Sequence, residues 1–212
     1  MFSRLILILS LFVAVLPLAA EEATETVVIL ETEQGDIALR FFPDLAPEHV
    51  KNFIHHAKEG NYTSTYFHRV IPNFMIQGGD FNTKNDNPKD DGMGGWSYKG
   101  EGTNLPAEFS DRAHKRGILS MARSQNPNSA GSQFFLMHAD APFLDGKYTV
   151  FGETVDGIEV VDKIVNANRD QRDRPLKNQF VHEVQVEEWK TSVVEEAKKT
   201  MWAEDRSAGK GK

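Results

Sequence analysis

Apolar positions in this chain fall into short runs separated by polar breaks, and most of the runs have strand length. Thr26–Leu30 and Asp36–Phe42 read as two strands joined through Glu33-Gln34-Gly35, a hairpin whose turn uses the glycine for a positive φ. Pro47 then opens a helix: Val50, Phe53, Ile54 and Ala57 recur at helical spacing on one face, and Gly60 stands where a C-cap glycine belongs. Further strands are predicted at Tyr66–Val70, Phe74–Gln77, Gly117–Ala122, Gln133–Met137, Thr149–Glu153 and Phe180–Glu187. The polar stretch 82–99 reads as a long surface loop, and Ile158–Val165 as a second helix with Val161, Ile164 and Val165 facing inward. Many short strands with two helices between them predict a mainly β fold, closed or nearly closed. No internal repeat interrupts this order.

The two ends differ from the middle. Residues 1–20 carry one positive charge at Arg4, then an apolar run from Leu5 to Leu18 broken only by Ser10, and close on Ala19-Ala20. This pattern predicts a secretory signal peptide cleaved after Ala20. A membrane anchor is the alternative, but the run falls short of the roughly 20 residues that span a bilayer. No stable membrane span is expected, and the mature chain is placed in the periplasm or another exported compartment. Beyond Glu188, apolar Trp189, Val193, Val194, Ala197, Met201 and Trp202 recur among Glu and Lys, predicting a C-terminal amphipathic helix and a tail. That helix either packs on the domain or presents itself to a partner. The predicted domain division is therefore 1–20 signal, 21–188 folded domain and 189–212 helical extension.

Composition narrows the chemistry. A formal charge of −7 in 212 residues argues against a nucleic-acid partner, whose binding surface needs to be basic. With no cysteine, the chain forms no disulfide, thiolate metal site or thiol nucleophile, which suits an oxidising compartment. Seven histidines include the adjacent His55-His56, but these point to different sides of a helix and no His-Glu-x-x-His spacing occurs. Neither a metal nor another cofactor is expected. Ser132 lacks a Gly-x-Ser-x-Gly elbow, Gly92 to Gly95 lack the Lys-Ser/Thr of a phosphate loop, and Asn61-Tyr62-Thr63 fits a glycosylation triplet of the kind common by chance.

The densest cluster is Tyr66-Phe67-His68-Arg69-Val70-Ile71-Pro72-Asn73-Phe74-Met75-Ile76-Gln77-Gly78-Gly79-Asp80-Phe81. Strand alternation lets Arg69 share a concave face with Phe74 or Met75 and with Gln77, setting a guanidinium over an apolar hollow. Read from the residues alone, a surface ion pair over ordinary core packing accounts for the same pattern.

Together with Gly117-Ile118-Leu119-Ser120-Met121-Ala122, Gly131-Ser132-Gln133-Phe134-Phe135 and Leu144-Asp145-Gly146-Lys147, this stretch resembles the signature blocks of the cyclophilins, peptidyl-prolyl cis-trans isomerases. The resemblance runs from about Thr26 to Glu187. It implies a closed eight-stranded antiparallel β-barrel capped by two α-helices, with the groove on the outside of the barrel. It places the catalytic arginine at Arg69 with His68 beside it, the proline pocket at Phe74, Met75, Phe135 and Leu144, and polar groove residues at Gln77 and Gln133. Gly92 matches a glycine of the adjoining pocket, and Ala122, Arg123 and Ser124 the segment that commonly reads Ala-Asn-Ala. Phe143 and Tyr148 stand where many eukaryotic members carry Trp and His, and bacterial exported members resemble this chain at both. The lost indole N–H counts against tight binding of the macrocyclic inhibitor cyclosporin.

The implied reaction, rotation about an X-Pro bond, breaks no covalent bond and so needs no nucleophile or general base. The implied partners are proline-containing segments of folding proteins, acted on by a monomer. The competing reading is a non-catalytic barrel that binds proline segments, or a chaperone using the C-terminal helix.

Overall fold

The computed structural model describes residues 22–85 and 87–209. The expected signal segment, 1–20, lies outside them. The strands are β1 (Thr24–Thr32), β2 (Gly35–Phe41), β3 (Thr65–Tyr66), β4 (Arg69–Ile71), β5 (Met75–Gly78), β6 (Ile118–Met121), β7 (Phe134–Met137), β8 (Val150–Asp156) and β9 (Phe180–Lys190); the helices are α1 (Pro47–Lys58), α2 (Ile158–Val165) and α3 (Thr191–Gly209). All the strand pairs are antiparallel, in one curled sheet of order β3-β9-β1-β2-β8-β6-β7-β5-β4.

The expected closed eight-stranded barrel is corrected to this open nine-stranded sheet. The predicted strand Tyr66–Val70 splits into β3 and β4, the two edges of the sheet, with only Phe67-His68 between them. At the split the backbone donors go to loop carbonyls: Phe67 N–H bonds Gln179 at 3.0 Å and Val70 N–H bonds Asp173 at 2.8 Å. The two edges thus follow one another in the chain without a ladder of their own.

Strand alternation builds two apolar clusters on opposite faces of the sheet. Ile76, Leu119, Phe134, Leu136 and Phe151 join the main core with α1 and α2, while Met75, Ile118, Phe135, Met137 and Val150 form a second cluster outside it. Both faces of β6 and β7 are covered, which explains why they read as continuous apolar runs. Phe53 of α1 anchors the main core, its ring within 4.9 to 5.5 Å of Tyr62, Phe134, Phe41 and Phe151. Gly60 adopts φ +68 just beyond α1, and Gly35 φ +124 in the β1–β2 turn.

The C-terminal strand runs three residues past its predicted end, and α3 follows directly. Val194 and Met201 of α3 are buried, and Trp202 lies so close to Gly117 that a Cβ there would stand 3.0 Å from the ring. The helix therefore packs on the domain, where Lys198 pairs with Glu153 at 2.6 Å. None of the described helices is long and apolar enough to cross a membrane.

Candidate active site

The site is built on a row of facing residues. In the β4–β5 hairpin Arg69 pairs with Gln77; Gln77 pairs across β5–β7 with Phe135, and Phe135 across β7–β6 with Ser120. Directly opposed residues of antiparallel strands share a face, so Arg69, Gln77 and Phe135 stand side by side on the outer surface. A second row, Ile71, Met75 and Met137, runs beside it. Arg69 Nη1 donates to Gln77 Oε1 at 3.4 Å, Gln77 Nε2 to Gln133 Oε1 at 3.0 Å, and Gln133 Nε2 to the Gly94 carbonyl at 2.9 Å. No carboxylate of a described residue pairs with Arg69, so most of its donors remain open toward the groove.

Beside this relay is a hollow of about 110 Å³ lined by Arg69, Phe74, Met75, Gln77, Ala122, Arg123, Phe135, Leu144 and Tyr148. Water occupies about 30 Å³ per molecule in the liquid, so the space holds a small ring rather than a large side chain. Met75, Phe135 and Leu144 are nearly fully buried and form its fixed walls. Phe135 is braced from behind by His114, stacked at 6.2 Å, and edge-on by Tyr148 at 5.9 Å. The Arg123 guanidinium lies 4.3 Å above the Tyr148 ring and donates to the Lys147 carbonyl at 2.8 Å, which fixes it at the rim. A larger hollow of about 340 Å³ adjoins, lined among others by Gly92, Gly94, Gly95, Asn104, Ser124 and Gln133. The two share Gln77, Ala122 and Arg123. A side chain at Gly94 would collide with Asp80 and Asn82, which is why this wall is glycine-rich.

Residues 27–186 match the sequence model of the family described as "Cyclophilin type peptidyl-prolyl cis-trans isomerase/CLD". The chain belongs to the cyclophilin-type peptidyl-prolyl cis-trans isomerases. A "Probable peptidyl-prolyl cis-trans isomerase" of Brucella abortus is 51% identical to this cyclophilin over 144 residues, covering 66% of the chain and 71% of the relative. A "Putative peptidyl-prolyl cis-trans isomerase" of Staphylococcus aureus is 38% identical over 193 residues, covering 77% and 93%. Among solved structures, a cyclophilin-type isomerase of Cryptosporidium parvum, determined in the presence of the dipeptide Ala-Pro, superposes with a TM-score of 0.68 at 34% identity. It covers 76% of this chain and 98% of that one. Isomerisation of X-Pro bonds is the activity of this cyclophilin.

Most of the residues singled out by sequence converge on the two hollows, but two do not line either. His68 is buried under the groove, its Cδ2 and Nε2 both toward Gly92 and neither ring nitrogen bonded to a described residue. Burial pushes its pKa down against the nearby Asp80 and Asp91. His68 thus stands behind Gly92 of the adjoining pocket and lines neither hollow itself. Phe143 is 61% exposed at the rim, its ring 5.5 Å from that of Phe74, a flank of the slot rather than a wall.

Sequence reasoning missed Asn104, whose contribution comes from a distant loop and leaves no local signal. It also missed a Ser120–His114–Asp145 relay: Ser120 Oγ lies 3.0 Å from His114 Nε2, and His114 Nδ1 2.9 Å from Asp145 Oδ1. The residues of a hydrolytic triad are present, but Ser120 is fully buried and bonds the Thr149 carbonyl at 3.0 Å, so no substrate reaches it. Its effect is to fix His114 behind Phe135.

Proposed function

We propose that Arg69 is the catalytic residue and that the reaction is catalysed by stabilising the twisted amide. The observation that carries this reading is an arginine fork with no carboxylate partner among the described residues, set beside a ring-sized apolar slot. Phe74, Met75, Phe135 and Leu144 grip the proline ring while the preceding carbonyl swings. As resonance is lost at a barrier near 20 kcal/mol, the proline nitrogen gains a lone pair that it lacks in either planar isomer. A donor aimed at that nitrogen therefore binds the transition state more tightly than the ground states. Arg69 supplies it from a rigid, charged fork. Gln77 orients that fork, and with Gln133 and the backbone of Ala122, Arg123 and Ser124 it holds the flanking peptide past Gly92 and Tyr148.

The substrates are proline-containing segments of exported proteins. The N-terminal pattern of residues 1–20 and the absence of cysteine support this compartment. The apolar side chains that a client-holding α3 would offer, Val194 and Met201, are turned into the domain, which favours the enzyme over a separate holding module. The test is Arg69→Ala in an NMR exchange or protease-coupled assay on a short X-Pro peptide. We expect kcat/KM to fall at least about tenfold, one step of 1.4 kcal/mol. An unchanged value overturns the role of Arg69.

A further inference from the structure

The β4–β5 hairpin carries Arg69, Phe74, Met75 and Gln77, so the place of its turn sets the shape of the slot. Asn73 at that turn adopts the left-handed φ of +61, a conformation that needs support from its surroundings. The support comes from behind. Asn73 N–H donates to His138 Nδ1 at 3.0 Å, and the Phe74 carbonyl accepts from His138 N–H at 2.9 Å. With Nδ1 accepting, the ring proton sits on Nε2, which faces Asp162 Oδ1 at 3.2 Å.

Behind His138 stands Arg116. Its Nη1 donates to the His138 carbonyl at 2.9 Å and to Asp162 Oδ1 at 2.8 Å, and its Nη2 to Asp162 Oδ2 at 2.9 Å. Asp205 of α3 takes the remaining edge, accepting from Nη2 at 2.8 Å and from Nε at 3.3 Å. An unbroken series of directed contacts thus runs from the C-terminal helix to the turn of the hairpin. Burial opposes the charge on Asp162, but His138 and Arg116 outweigh it and hold the carboxyl at about 2, so Asp162 stays ionised near neutrality. Docking of α3 does not depend on Asp205 alone, because Val194, Met201, Trp202 and the Lys198–Glu153 pair already fix it.

We propose that Asp205, acting through Arg116 and His138, is a positioning residue that holds the hairpin turn and so keeps the slot in its substrate-binding shape. The proposal rests on the reading of this hairpin as the active site. The C-terminal helix thereby belongs to the enzyme's working parts, although it touches no substrate.

The test compares the wild-type full chain with Asp205→Ala and Asp205→Glu, well below the unfolding transition, by X-Pro peptide kinetics and backbone amide NMR. We expect Asp205→Ala to lower kcat/KM about three- to tenfold, to move or broaden the Asn73 and Phe74 amide signals, and Asp205→Glu to restore most of both. Asp205→Asn, which keeps an acceptor and the side-chain volume, is the second variant should the alanine form fail to fold, and the same loss and the same displaced amides are expected from it. If kcat/KM holds and the displaced signals stay within α2 and α3, Asp205 is a packing residue and the proposal fails. A wild type that turns over no X-Pro peptide would instead sink the isomerase reading, and the Asn73 and Phe74 amides would still decide the coupling.

Discussion

Arg69 opens β4 and Arg116 lies just before β6 of the same sheet, and they carry the same group, yet their surroundings are opposite. Arg116 has carboxylates on both edges and a carbonyl at one corner. Arg69 has one amide oxygen at 3.4 Å and an apolar hollow in front of it. A guanidinium whose donors are all met inside the protein holds parts together; one left open beside a cavity is free to meet a guest. On the proposed reading, function here is marked by an unmet donor next to apolar walls, and the saturated arginine is the foundation on which the open one stands.

Phe135 is at once a wall of the slot beside Arg69 and a member of the outer apolar cluster, and its removal is the most severe test of that region. Phe135→Ala empties a wall of the slot and a buried contact of the outer cluster, and should destabilise the fold by about 3–5 kcal/mol while raising KM. Chemical denaturation and peptide kinetics on the same sample check it. A large loss of stability with KM unchanged would mean that the slot does not grip the ring.

The two arginines should then separate cleanly. Arg69→Ala, with kcat/KM falling one to two decades, corresponds to about 1.4–2.7 kcal/mol of transition-state stabilisation and should leave the melting temperature nearly unmoved. Arg116→Leu does the reverse in the first instance: it strands Asp162, Asp205 and the His138 carbonyl, and at this half-buried site should cost about 2 kcal/mol of stability. Its effect on turnover should be at least that of Asp205→Ala, which acts through it, and smaller than that of Arg69→Ala. Thermal unfolding and kinetics of both variants check the pair. Equal losses of activity would erase the distinction.

The open arginine was legible in the sequence and the saturated one was not. Arg69 lies within a dense block with Phe74, Met75 and Gln77, so strand alternation alone brings them to one face. Gln133, Phe135 and Leu144 are supplied by other blocks whose resemblance to one family fixed their place. Arg116, His138, Asp162 and Asp205 come from four separate stretches and meet only through packing of α2 and α3, which periodicity does not encode. The barrel expectation failed for a related reason: Tyr66 to Val70 reads as one strand, and only the loop carbonyls of Gln179 and Asp173 divide it. His68 adjoins Arg69 in sequence but lies in the break between β3 and β4, where its ring is buried behind Gly92 and does not line the slot.

A last contrast concerns pH. The proposed reaction transfers no proton, so kcat/KM of the folded protein should be flat from about pH 6 to 8. Stability should not be. His56 is buried under the adjoining pocket wall, with Nε2–H donating to the Trp96 carbonyl at 2.9 Å and Nδ1 accepting from Asn61 Nδ2 at 3.1 Å. Burial pushes its pKa down to about 4, against the Trp96 bond that raises it, with His55 lowering it further. The folded value lies below the ordinary 6.5, so the stabilising effect is complete above pH 6.5 and is lost as pH falls through 4. A loss of roughly 1 kcal/mol is expected between pH 7 and 5, measured as a falling denaturant midpoint. His56→Gln keeps a donor for Trp96 and cannot titrate, and should flatten that fall. A slope that persists in His56→Gln would assign it to other groups, and a kcat/KM that tracked the same titration would break the separation between a proton-free groove and a proton-sensitive frame.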